Sequence, residues 1–321
     1  MNADACRADG SAGRPGHARA GSYESACNKI SLAAAIAAVL LAVALGLAAC
    51  SGGAAPSSHP AATVASSPER IIAAPRALLA ATGPEDDGTI WAVAGSSSVG
   101  LFEFDSGGHQ TGSSSVSQAA RSVAATSGGV VGVALGSATS GALDLMRATN
   151  TKVTKSVPLP APALQVVTGG SGIDFYVLTA WSSAASVEVV NSRTGKILAS
   201  VPAPRQAVSL AADPQQGVIY VLQRNGLVDE ISVRGGQLES SFSVGDPGEA
   251  VAISPDGTRL YVLKGTTSVS NIAVVDTATE GMLKVLPAPG DCRELAVSPD
   301  GRQLYEVVGS PDYGNIQVFG L

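Results

Sequence analysis

AVAISPDGTRLYVLKG, residues Ala250 to Gly265, followed by NIAVVDTATEG, Asn271 to Gly281, decides the fold. An apolar run leads into Ser254-Pro255-Asp256-Gly257, a turn in which Pro presets its φ, Asp caps through its side chain and Gly takes the positive φ that closes it. Two further alternating runs follow, Leu260-Tyr261-Val262-Leu263 and Asn271-Ile272-Ala273-Val274-Val275. A second turn, Asp276 to Gly281, then feeds Met282 to Leu286. Period-two alternation between Gly/Pro/Asp turns is the pattern of short antiparallel strands, four in this unit.

The unit recurs. Trp91, Gly132, Tyr176, Tyr220, Tyr261 and Tyr305 open equivalent segments, with starts separated by 41, 44, 44, 41 and 44 residues. Ser298-Pro299-Asp300-Gly301 repeats the turn, Asp213 to Gly217 is a looser version, and Ser127-Gly128-Gly129 a reduced one. Four strands per repeat of this length make one propeller blade. These repeats resemble the YVTN-type β-propeller repeats, within the wider group of lactonase-like and quinoprotein-like propellers. The resemblance covers about residues 70 to 321, is strongest in the last three repeats, and implies an all-β propeller fold far more than any one activity.

Residues 70 to 321 make 252 positions, which six repeats of 42 fill. The last repeat ends after its third strand, and Arg70-Ile71-Ile72-Ala73-Ala74 matches the fourth-strand segment Lys196 to Ala199. We therefore expect a six-bladed ring in which this N-terminal strand completes the C-terminal blade and covers its edge. A seven-bladed ring is the alternative and needs a blade within Ser51 to Pro68, where no strand pattern stands. Trp91 and the recurring tyrosines are expected to pack between blades, and Trp181, off the period, at the surface.

Residues 1 to 49 read as an export signal: Lys29 and scattered arginines precede an apolar run from Ile30 to Ala49. Its exit, Leu47-Ala48-Ala49-Cys50, resembles the lipobox of bacterial lipoproteins, which implies lipidation of Cys50. An uncleaved signal anchor is the alternative. Either places the domain outside the cytoplasm, at a cell membrane, with the Ser/Ala/Gly/Pro-rich stretch up to residue 69 as a flexible tether. Cys6 and Cys27 leave with the signal, so Cys292 is the one thiol of the mature domain and no intramolecular disulfide is expected.

A net charge of −6 and a pI near 5.1 give the wrong field for nucleic acid. Of the two mature histidines, His59 falls in the tether and His109 in a Gly/Ser-rich loop segment, so without a second histidine in the domain a two-histidine metal site or acid/base pair is unavailable. Glu85-Asp86-Asp87-Gly88 reads as a solvated turn rather than a calcium loop, because alternating ligand spacing is missing. Cys292 reads as a small buried hydrophobe. No cofactor, metal or catalytic constellation is expected. Ligands of propellers meet the central channel or one loop face, and alignment places Arg76, Arg205, Asp246, Glu249, Asp291, Arg293 and Glu294 around one channel mouth. The reading favoured is a monomeric, lipid-anchored extracytoplasmic binding or scaffolding module for a protein, peptide or envelope glycan. The alternative is a lactonase-like hydrolase that uses channel carboxylates and a divalent cation.

Overall fold

The structure, a computed structural model, describes residues 67–321 except 84, 86, 96, 97, 170, 171, 216, 246, 267, 268 and 310–312. The segment expected to be an export signal, Cys50 and nearly all of the expected tether lie outside the described residues. Within them, 24 strands form six sheets of four.

The first strand, β1 (Arg70–Ala74), precedes five blades built from consecutive strands. Blade 1 is β2 (Leu78–Ala81), β3 (Ile90–Ala94), β4 (Gly100–Phe104) and β5 (Gln110–Ser115). Blade 2 is β6 (Ala120–Ala125), β7 (Val130–Gly136), β8 (Gly141–Arg147) and β9 (Val153–Leu159). Blade 3 is β10 (Ala163–Thr168), β11 (Asp174–Ala180), β12 (Ala185–Asn191) and β13 (Ile197–Ala203). Blade 4 is β14 (Ala207–Ala212), β15 (Val218–Gln223), β16 (Leu227–Ser232) and β17 (Leu238–Ser243). Blade 5 is β18 (Gly248–Ile253), β19 (Arg259–Gly265), β20 (Ser270–Asp276) and β21 (Met282–Ala288). Blade 6 joins β22 (Cys292–Val297), β23 (Gln303–Gly309) and β24 (Gly314–Gly320) to β1, in the order β1-β24-β23-β22.

The ring thus has six blades and closes through its first strand, as the repeat arithmetic requires. Arg70 stands opposite Val318, Ile72 opposite Ile316 and Ala74 opposite Gly314, all antiparallel. Ile72 is buried in one cluster with Leu78, Ile90, Tyr305, Val307 and Ile316, so β1 is held by side-chain packing as well as by its ladder.

The turns form for local reasons. Ser254 Oγ donates to Asp256 Oδ1 at 2.5 Å and accepts from the Arg259 amide, while Gly257 adopts φ 73°. Ser298, Asp300 and Gly301 (φ 69°) repeat the arrangement. These hydroxyl and amide donors hold Asp256 and Asp300 below the ordinary carboxylate range. Asp87 likewise accepts from the Thr89 amide across a turn closed by Gly88.

Between blades, Tyr220 packs against Val251 and Leu260, Tyr261 against Leu295 and Leu304, and Trp91 against Val123 and Val131. Blade 2 has glycine, Gly132, where its neighbours carry an aromatic. A β-carbon there would meet the Phe175 ring at 3.0 Å, so an aromatic from the following blade occupies the space. Trp181 is 40% exposed, and its indole donates to the Pro160 carbonyl.

Deleting Arg70 to Ala74 removes one blade's outermost strand and bares β24. Loss of five ladder residues and of buried Ile72 predicts a fall in Tm on the order of 10 °C or more. Calorimetry of the full chain and the deletion checks it, and an unchanged Tm would remove the closure role.

Candidate functional site: the central channel

Six innermost strands line the axis, and each carries a β-bulge at the same place. The register shifts between Leu78 and Ala80, Ala120 and Ser122, Ala163 and Gln165, Ala207 and Ser209, Gly248 and Ala250, and Cys292 and Glu294. A bulge opposes two residues to one and re-aims the chain. The residue after each bulge occupies an equivalent position around the channel: Ala80, Ser122, Gln165, Ser209, Ala250 and Glu294.

Where that residue has an oxygen, it bonds the backbone amide of the next blade. Ser122 Oγ accepts from the Val166 amide at 3.3 Å, and Gln165 Oε1 from the Leu210 amide at 2.7 Å. Ser209 Oγ accepts from the Val251 amide at 3.1 Å, and Glu294 Oε2 from the Ala81 amide at 3.1 Å. Ala80 and Ala250 offer no acceptor, so this belt spans four of the six interfaces.

Gln165 and Glu294 belong to blades 3 and 6, opposite in the ring. The Gln165 amide Nε2 donates to Glu294 Oε1 at 3.3 Å, directly across the axis. Ser209 Oγ donates to Gln165 Oε1 at 3.0 Å and fixes which end of the amide faces the acid. This bridge divides the channel. On the side of the strand starts is a shallow cavity of about 100 Å³, ringed by Arg121, Glu249 and Arg293. On the other side lies a chamber of about 250 Å³, and only Gln165 and Glu294 border both.

Burial pushes the Glu294 carboxyl up to about 7, although the Ala81 amide and Gln165 both favour its ionised form. A second carboxyl, Glu306 on β23, sits 2% exposed in a column otherwise filled by Ala92, Val133, Val177, Val221 and Val262. Its Oε2 has no hydrogen-bond partner, and desolvation raises it to about 8. Cys292 is buried, and burial with the nearby Glu306 charge pushes its thiol well above its usual range, so it stays a thiol.

Of the residues expected at the mouth, Glu249, Arg293 and Glu294 border the channel. Arg76 instead donates to Ser98, Arg205 to the Ser182 carbonyl, and Asp291 accepts from the Tyr313 hydroxyl, so these three bind neighbouring loops rather than converge on the axis. Asp246 lies outside the described residues. Gln165 and Arg121 join the channel unforeseen. Arg121 and Arg293 occupy the same bulge position and each donates through Nε to its own blade's rim, to Gly136 O at 3.1 Å and Gly309 O at 2.7 Å. Glu249 lies 3.9 Å from Arg224. His109 pairs with Asp105 in an exposed loop. Among the described residues no three His, Cys, Asp or Glu side chains cluster as metal ligands.

No protein-family model and no curated protein matches the chain in sequence. Among solved structures, the hydrazine synthase of Kuenenia stuttgartiensis superposes with TM-score 0.59 at 16% identity, over 72% of this chain and 74% of that one. At that identity the likeness establishes a shared β-propeller fold.

The raised carboxyls have a signed consequence. A carboxyl whose folded value exceeds its unfolded value contributes stability below about pH 4.5 that is lost as pH rises through about 7 for Glu294 and about 8 for Glu306. Glu306→Gln should raise Tm by about 3 °C or more at pH 9 and by much less at pH 5. Thermal melts at the two pH values check this, and an equal shift at both would show that ionisation is not the cause.

Proposed function

We propose that the protein is a lipid-anchored, extracytoplasmic β-propeller that binds or scaffolds a protein, peptide or envelope ligand. The observation that carries this reading is the rim. Ile71, Val153, Ile197, Leu198, Leu238, Met282, Leu283 and Val285 stand 41–60% exposed, on β1, β9, β13, β17 and β21. Five of the six outermost strands therefore present apolar side chains to solvent, clustered at their starts. Only the polar β5, QTGSSS, lacks them.

Strands alternate in direction, so the outermost strands start on the face where the innermost strands end. The belt accordingly lies at the rim of the face into which the larger chamber opens. An apolar band on edge strands is a recognised mark of an interaction surface. The lipobox-like exit at Cys50 and the tether behind it support presentation of this rim from a membrane. For the hydrolase alternative, the cross-channel bridge offers one carboxyl and one amide, and that amide oxygen already accepts two bonds.

Cys50→Ala should move the protein from the membrane fraction to the soluble fraction; retention as an integral protein would support a signal anchor. A photo-crosslinking side chain at Leu238 or Leu283 should capture discrete partners on intact cells, whereas the same group at Thr111 on β5 should not. Equal labelling at all three positions, or none at any, would contradict a rim-directed role.

A further inference from the structure

The chamber beyond the Gln165–Glu294 bridge has a composition that the rim reading does not use. Its walls are the ends of the six innermost strands, rich in Ala and Val and including Leu210, Ile253 and Leu295. Among the described residues two acids border it, Glu294 at the closed end and Glu85 from the turn after β2, and no Lys, Arg or His does. An apolar sleeve ending in a carboxyl is complementary to a molecule with an apolar body and a cationic, hydrogen-bond-donating head.

The bonding at the closed end narrows the choice. Gln165 Oε1 has its two donors in Ser209 and Leu210, so it has no further acceptor capacity. Glu294 accepts one bond on each oxygen, which leaves roughly two of its four lone-pair sites for a ligand. An ammonium group is satisfied by such an acceptor, because it brings only donors. A Ca²⁺ ion, by contrast, requires about 6–8 oxygen ligands. The volume, about 250 Å³, falls below the range of drug-sized sites, roughly 300–1,000 Å³, so the ligand is small.

We propose that this chamber is a binding site for a small organic amine, whose ammonium pairs with Glu294 while its hydrocarbon part lies against the Ala/Val wall. The site goes beyond the rim reading and does not depend on it. Burial without a compensating cation raises the Glu294 carboxyl to about 7, and an ammonium supplies the missing countercharge. The arginines at the opposite mouth, Arg121 and Arg293, are tied through Nε to backbone carbonyls of their own blades.

The test titrates the full chain with n-butylammonium chloride at pH 8, by calorimetry and thermal shift, against 1-butanol, sodium chloride of equal ionic strength and calcium chloride. The proposal expects saturable binding and a rise in Tm with butylammonium alone. Glu294→Gln should weaken that binding about tenfold or more. Ala296→Leu, which narrows the sleeve without touching the acid, should weaken it as well, and circular dichroism confirms that both variants fold. Replacing Leu238 and Leu283 on the rim by Ser should leave it unchanged, so failure of the rim reading and failure of this one are told apart. No response to butylammonium, equal affinity in Glu294→Gln, or a chelator-reversible response to calcium in place of the amine would overturn the proposal.

Discussion

The antiparallel pairing of β1 with β24 is the constraint on which the rest depends. Five blades are assembled from consecutive strands and could each form locally, but blade 6 is complete only when residues from both ends of the domain meet. That one ladder turns a row of sheets into a ring. It buries Ile72 among Leu78, Ile90 and Ile316, and so also packs blade 6 against blade 1. Without closure, Glu294 on β22 has no Ala81 amide beside it, because that bond spans the closing interface.

Closure in turn explains the channel. A ring of six brings blades 3 and 6 face to face, and at the equivalent position these two blades carry the long polar side chains Gln165 and Glu294. The remaining positions are serine or alanine, short enough to leave the axis to the bridge. Repeated bulges set the height of all six residues, so the belt of side-chain to backbone bonds follows from one local irregularity used six times. The same regularity leaves the outermost strands to solvent, where their apolar starts form the rim.

Much of this was legible in the sequence. The spacing of Trp91, Gly132 and the four tyrosines gave the blade count, and Arg70 to Ala74 showed itself as a displaced fourth strand because it matched Lys196 to Ala199. Glu294 was singled out for the channel mouth by its nearness to a strand start, and its bond to Gln165 lies deeper, across the axis. Gln165 was missed because its partner lies 129 residues away, and no short-range motif records such a contact. The signal existed in the repeat itself: the column Ala80, Ser122, Gln165, Ser209, Ala250, Glu294 holds two long polar residues three blades apart. Arg76, Arg205 and Asp291 were misplaced for a physical reason, since residues before a strand can turn to the adjacent loops and there find carbonyl and hydroxyl partners. Glu306 was equally visible as a charge in a column of Val and Ala, a pattern that marks burial without naming a use.

Hydrogen exchange measured residue by residue in the native state tests the closed ring most directly. In a closed ring, amides of β24 paired with β1 exchange as slowly as those of the interior strand β19, opening only with the whole domain. Exchange in β24 as fast as in the solvent-edged β5 would show that β1 does not close the ring, and the cross-channel bridge would then lose its foundation.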